Sequence, residues 1–302
     1  MRWWVRLVLT VAVLTTAAGC APAVRSNIGD GDLTNDWVGI GTPKVFVPRA
    51  GECHPVAAGT VGQGAEYRPV DCGQSHEVET VFVGIFTGVY GVPDHSPAPG
   101  SSSRRAARAD CDQRVRKFLG DDWQAGRLRL EVVVPSTTAW DGGARWYRCD
   151  VGEVVSMQDR TFVPRTGSLT GALDQPSPLR WGCFNPSANA AGDVGVLAPV
   201  ACTEPHQSEF AGLYLEADLP YDDFAANADQ VHERCRRVVA DYVGLPVDDD
   251  LRHRFGTIYD YPFKDEWDDG NLAVRCLLWR DQPPLTRSVR DGGTAALPVR
   301  QG

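Results

Sequence analysis

Cys72-Gly-Gln-Ser-His76-Glu-Val-Glu79 and Cys202-Thr-Glu-Pro-His206-Gln-Ser-Glu209 set the same three residue types at the same spacing, far apart in one chain. The match extends outward in both directions. Cys53 precedes Cys72 by 19 residues, and Cys183 precedes Cys202 by 19. Downstream, Cys111 is followed nine residues later by Gly120, as Cys235 is by Gly244. Pro135, Trp140, Gly143, Arg148 and Cys149 then align without a gap on Pro262, Trp267, Gly270, Arg275 and Cys276. An Asp–Gly element recurs at Asp141/Gly143 and Asp268/Gly270, and Thr166-Gly-Ser-Leu169 echoes Thr286-Arg-Ser-Val289. Coincidence of identity and spacing on this scale marks an internal duplication, which decides the domain question before any local reading.

The duplication predicts two tandem disulfide-stapled α+β domains. Copy one is expected over residues 44–170 and copy two over 179–290. The stretch 171–178, with two prolines and small residues, reads as a linker. Residues 291–302 are Gly- and Ala-rich and read as a disordered tail.

Each copy shows one helical stripe. In copy two it is Phe224, Ala228, Val231, Cys235, Val238 and Tyr242, with Asp222 and Asp223 at the start and Gly244 past the end. In copy one it is Ala107, Cys111, Val115 and Phe118, with Ser102 or Ser103 as cap and Gly120 as stop. The β-rich runs 77–86, 128–134 and 146–155, matched by 209–215 and 272–278, predict an antiparallel sheet in each copy.

The N-terminus reads as an address. Arg2 and Arg6 precede an apolar run of 12 residues, Leu7 to Ala18. That is too short to span a bilayer but suits a signal peptide over residues 1–19. The run ends in Ala17-Ala-Gly-Cys20, the small-residue pattern before a cysteine at which a lipoprotein signal peptide is cleaved. Cys20 is therefore the expected lipid anchor, and residues 20–43 the tether. The nine cysteines of the chain then leave an even eight, as expected of disulfides in an exported protein. Four cysteines per copy allow three connectivities. The helix cysteine faces the sheet, and the last cysteine lies in a strand of it. The expected pairs are Cys53–Cys72, Cys111–Cys149, Cys183–Cys202 and Cys235–Cys276. The location implied is the outer face of the cytoplasmic membrane.

A net charge of −9 argues against nucleic acid as a partner and against electrostatic adhesion to anionic lipid, so the acyl chains must anchor the protein. Only three of the 30 basic residues are lysine. His76, Glu79, His206 and Glu209 could ligate zinc beside a cysteine. A thiolate ligand must stay reduced, however, and this compartment is oxidising, so turn-anchoring or recognition roles are preferred and neither metal nor cofactor is expected. Trp140 and Trp267 are candidates for the core or for stacking on glycan. The chain carries no Gly-x-Ser-x-Gly elbow, His-Glu-x-x-His helix or phosphate-binding glycine loop, and no enzyme is expected.

The pattern of Gly51-Glu-Cys53, Val70-Asp-Cys72 with His76 and Glu79, Cys111, and Trp140 to Cys149, repeated from Gly182-Cys183 to Cys276, resembles the septum-formation domain family of actinobacterial envelope proteins. The resemblance covers nearly all of the mature chain. It implies a role at the division septum or cell wall without naming a reaction, with an envelope or division protein or a cell-wall component as partner. Departures are Ser75 where copy two has Pro205, and Ala201 where copy one has Asp71. The reading that follows is a non-catalytic, membrane-tethered scaffold. A secreted cell-wall hydrolase of unfamiliar type and a metal- or ligand-binding lipoprotein are the alternatives.

Overall fold

The main helix of each half is built around its cysteine. In the computed structural model, which describes residues 44–58, 67–87, 94–174, 176–188 and 194–299, α1 spans Ser102–Leu119. The hydroxyl of Ser101 accepts from Arg104 N at its start, one residue earlier than the sequence suggests, and Gly120 closes it in the left-handed region at φ 87°. The buried stripe runs Ala107, Cys111, Val115, Leu119. Leu119 takes the place expected for Phe118 because steps of four hold one face over these turns, leaving Phe118 half-buried at its edge. Signal peptide, Cys20 and tether all lie outside the described residues. No helix among those described is long and apolar enough to cross a membrane.

In the second half the expected single helix is two. A short α3, Tyr221–Ala225, carries Asp222 and Asp223 in its first turn, and the main α4 spans Ala228–Val243. The break at Ala226–Asn227 lets Phe224 turn inward to within 4.4 Å of the Trp267 ring. The buried face of α4 is Val231, Cys235, Val239, Ala240 and Val243, so Ala228 lies off it, and Gly244 at φ 79° ends the helix.

The strands form two antiparallel sheets. The first takes the order β1 (Cys53–His54), β2 (Val78–Ile85), β4 (Trp146–Glu153), β3 (Leu128–Val133). The second takes β6 (Val194–Val200), β5 (Cys183–Ala188), β7 (Ser208–Leu215), β9 (Ala273–Trp279), β8 (Gly256–Asp260). Both carry a register shift at the same place, between Thr80 and Phe82 and between Phe210 and Gly212. Each helix packs on its sheet through a disulfide, Cys111–Cys149 and Cys235–Cys276, and a second bridge ties the sheet to the turn before the histidine, Cys53–Cys72 and Cys183–Cys202. These are the four expected pairs. Short helices α2 (Thr137–Asp141) and α6 (Lys264–Asp268) follow β3 and β8. The Asp–Gly element seen in the sequence is their exit, with Gly143 and Gly270 at φ 97° and 95°.

Two segments differ from expectation. The presumed linker is part of the first core: Gly171 N donates to Phe118 O, Leu173 N donates to Leu119 O, and Leu173 is fully buried. The presumed tail forms α7, Gly293–Ala296, after another short helix, α5 (Leu251–Arg254), and buries Leu297, whose carbonyl accepts from Arg254. In both cases one leucine outweighs the polar and small residues around it, because a single buried leucine contributes about 1.5–3 kcal/mol.

The halves are welded by charge. Glu266 accepts from Arg160 at 2.7 Å and from Arg129 at 3.0 Å, and Asp269 pairs with Arg104 at 2.6 Å. Arg105 reaches Asp218 at 2.7 Å. Arg275 Nε and Trp181 Nε1 both donate to Gln124 O. Residues from Val45 onward accordingly form one compact unit rather than beads on a tether. Removing one partner from a buried pair leaves the other uncompensated, at a cost of about 3–5 kcal/mol. Glu266→Ala is expected to lower unfolding stability by that amount in urea titration. Arg237→Ala, which loses only an exposed pair with Glu233, is expected to change it by less than about 1 kcal/mol.

Candidate functional site

The repeated histidine and glutamate do the same structural work in both halves. His76 sits at the entry to β2 and His206 at the entry to β7. Each ring places Nδ1 against the carbonyl two residues back, Gln74 at 2.8 Å and Glu204 at 2.7 Å. Each backbone exchanges a pair of hydrogen bonds with a later segment, His76 with Arg165 and His206 with Leu285. That later segment is the Thr-x-Ser-Leu/Val echo. Glu79 accepts from Ser168 Oγ at 2.9 Å and Leu169 N at 2.8 Å. Glu209 accepts from Ser288 Oγ at 2.9 Å, Val289 N at 3.0 Å and Tyr242 OH at 2.7 Å. A buried carboxylate in each sheet thus pins a returning strap.

His206 Nε2 also meets Glu209 Oε1 at 2.9 Å. In the first half His76 Nε2 has no hydrogen-bond partner among the described residues, and Phe118 stands where Tyr242 contributes its hydroxyl.

Two ligand-type groupings arise here, Cys53 with Cys72 and Glu79, and Cys183 with His206 and Glu209. Every cysteine in them is committed to a disulfide, so it offers no thiolate, and the lone pairs of Glu209 are taken by the strap. These residues do not fit a metal centre in the oxidised protein. Trp140 and Trp267 are likewise core residues. Trp140 packs edge-on to Phe86, and Trp267 donates its indole N–H to Leu219 O at 2.9 Å. Both rings are sealed from solvent and present no stacking face.

A polar cluster that the sequence reading missed lies on the face of the first sheet opposite α1. Thr80 Oγ1 donates to Asp150 at 2.7 Å and meets His54 Nε2 at 3.0 Å; Arg148 pairs with Asp150 at 2.7 Å. Glu131 stands opposite Asp150 in the register of β3 and β4. The ring of Tyr67 covers His54 at 5.3 Å and is itself backed by Phe46. All four residues of the core network are almost wholly buried. Burial, and then the Arg148 charge, push His54 down to about 4. Burial pushes Asp150 up, against the pull of Arg148 and Thr80. Burial and the neighbouring Asp150 push Glu131 up as well.

The second half fills the same positions with carbon. His54, Thr80, Glu131 and Asp150 correspond to Phe184, Phe210, Ile258 and Leu277, and only Arg148 is kept, as Arg275. There the face is an apolar cluster with Met157, Trp181 and Leu197, beside a cleft of about 360 Å³ at the junction of the halves. Setting the copies side by side at these positions would have exposed the swap, since four polar-for-apolar exchanges on one sheet face are legible without a structure.

A family model described as septum formation matches residues 50–276 of the chain. No curated protein and no solved structure matches it.

Two outcomes follow from this geometry. Glu209→Leu strands Val289 N–H and three side-chain donors, at about 1–3 kcal/mol for each buried group left unsatisfied, and is expected to expose the strap around Ser288 to limited proteolysis. The second concerns pH. His54 is held neutral in the folded protein to about 4 but takes up a proton at about 6.5 when unfolded. Its contribution is therefore complete above 6.5 and is lost as pH falls toward 4, up to about 3 kcal/mol. His54→Phe, which installs the residue of the second half, should flatten the thermal midpoint across that window relative to wild type. The carboxylates act alike in both proteins and drop out of the comparison.

Proposed function

The chain belongs to the septum-formation family, and from that premise we propose that it is a lipoprotein, anchored through Cys20 outside the cytoplasmic membrane, that works as a non-catalytic binding module of the cell envelope at the division septum. The observation that carries this reading is where the shared residues go. The cysteines, histidines, glutamates and tryptophans that both halves have in common are engaged in holding the chain together, and all are buried except Cys72 and Cys202, which are half-buried in their disulfides. Among the described residues two hydroxyls stand against a histidine: Thr80, which meets His54 and Asp150 in the buried cluster, and Thr257, 2.7 Å from His232 Nδ1. What the molecule offers to its surroundings is a rigid surface.

We further read the halves as two copies of one ancestral unit. Matching strand orders, matching bulges, paired disulfides and paired straps support that origin. The partner is an envelope or division protein or a cell-wall component, and the acidic balance of the chain disfavours nucleic acid.

Cell fractionation and mass spectrometry test the anchor. Wild-type protein is expected in the membrane fraction with a diacylglyceryl mass on Cys20, and Cys20→Ala in the soluble extracytoplasmic fraction. An unmodified Cys20 in membrane-derived protein would overturn the anchor. Mild crosslinking in dividing cells tests the role: enrichment at the septum with a recovered envelope partner supports it, and an even distribution with none recovered overturns it.

A further inference from the structure

The contact that welds the halves uses one surface of the first half, the start of α1 and the edge strand β3. Arg104, Arg105 and Arg129 there receive Glu266, Asp268 and Asp269 of the second half. The corresponding surface of the second half, the start of α4 and the edge strand β8, receives no such acidic loop among the described residues; it is met at the exit of β8 by Arg160, which lies 3.3 Å from Asp260 and donates to Tyr261 O at 2.7 Å. The loop that would be its counterpart, Thr137–Gly143, keeps its polar contacts within the first half. The contact is therefore heterologous, and a heterologous contact that does not close leaves one surface open.

A second copy of the chain does not suit that opening. The positions of Arg104, Arg105, Arg108 and Arg129 are taken by Ala228, Asp229, His232 and Gly256. The positions of Glu266 and Asp269 are taken by Ala139 and Gly142. The charges that hold the internal contact are missing from both ends.

What replaces them is aromatic. Val132 and Val134 of β3 and its exit correspond to Tyr259 and Tyr261. The rings of His232, Tyr259, Tyr261 and Tyr221 follow one another at centroid spacings of 4.9, 5.9 and 6.0 Å. Each is only partly buried. The ladder is held from beneath by Phe224, 5.1 Å from Tyr261, and by Trp267, 6.1 Å from Tyr221, so it is in place before any ligand arrives. Burial pushes Tyr221 and Tyr259 up, which keeps their phenols uncharged and able to donate. Exposed Asp222, Asp223 and Asp229 border the ladder on one side and Lys264 lies 5.7 Å over the Tyr221 ring, so neither sign of charge dominates and an uncharged partner is favoured.

We propose that this tyrosine ladder is a glycan-binding surface, taking an uncharged hexopyranose chain whose C–H faces stack on the rings and whose hydroxyls bond to the phenols and Asp229. A row of rings with polar tips presents an apolar body and hydrogen-bonding groups together, which is what a sugar ring requires and an apolar helix or an acidic peptide does not. The surface rests on the binding-module reading above and names its partner class.

The test titrates the full chain with a hexamer of N-acetylglucosamine, followed by calorimetry and by chemical shifts of the tyrosines. Wild type is expected to bind saturably, and Tyr259→Val with Tyr261→Val to bind at least about tenfold more weakly while still unfolding in one cooperative transition, at a lower melting temperature because packing on Phe224 and His232 is lost. These two substitutions take the residues of the first half, where the fold accepts them. Tyr221→Ala provides a second variant outside the sheet, with the same expected loss. Absence of saturable binding by wild type, or equal binding by the variants, overturns the proposal. If wild type ignores the hexamer yet still crosslinks to an envelope protein at the septum, the glycan surface fails and the binding-module reading stands.

Discussion

Glu266 sits between Arg160 and Arg129, buried where the two halves meet, and the arrangement of the molecule follows from it. Arg160 spends its remaining donors on Asp260 and on the carbonyl of Tyr261, and Arg275 links Asp260 back to Gln124 O. Removing so many charges from water is expensive, and hydrophobic residues of the same volume would stabilise the contact as well or better. What the network supplies is orientation. Each guanidinium has fixed donor directions, so the halves can meet in one register only. That register makes one body of two units and determines which surface of each is covered.

The two sheets show how one backbone plan tolerates opposite interiors. Outside the helix-facing cores, the first half buries His54, Thr80, Asp150 and Arg148, while the second buries Phe184 and Leu277 and half-buries Phe210 at three of the same positions. The apolar solution needs only volume, and Met157, Trp181 and Leu197 provide it. The polar solution needs every group answered, because an unpaired polar atom in a low-dielectric interior costs more than its hydrogen bond returns. Here the answer is partial: Arg148 and Thr80 both turn to Asp150 under Tyr67, while Arg148 Nε and Glu131 Oε2 have no hydrogen-bond partner among the described residues. Such a cluster is stable only while its protonation pattern holds.

Much of this was legible before any coordinates. Identical spacings of cysteine, histidine and tryptophan marked two matching halves, and the faces of the helix and strand cysteines favoured, among three connectivities in each, the pairs that the structure contains. The helix ends at Gly120 and Gly244 were readable because a left-handed closing residue favours glycine. Other features were hidden for physical reasons. The β5–β6 hairpin and β8 have no apolar alternation clear enough to separate them from loop. The break before Ala228 arises from the pull of Phe224 toward Trp267, a contact that helical periodicity cannot register. Leu173 and Leu297 turned presumed linker and tail into packed segments, since one large side chain in a polar stretch leaves no periodic trace. The weld between the halves rests on residues that do not repeat, so searching for repetition passed over it.

On the proposed reading of the halves as two copies of one unit, repetition and divergence carry different information. Positions that both copies share are constrained twice by the same fold, and here they prove to be disulfides, strap-pinning carboxylates and core tryptophans. They say how the unit stands up. Positions that are structurally equivalent but chemically different answer either to different packing neighbours, as on the far faces of the two sheets, or to a demand from outside the fold, and exposure separates the two. Val132 buried in the first sheet and Tyr259 half-open in the second share one register position opposite a disulfide cysteine. The valine is adequate for packing, so the phenol needs a reason beyond packing. The same reasoning applies to Arg104 and Ala228. The arginine is there for Asp269, and the alanine marks the surface from which that partner is missing. Function in this protein is most economically sought where its halves disagree on an exposed surface, and the start of α4 with the edge of β8 is where that disagreement gathers.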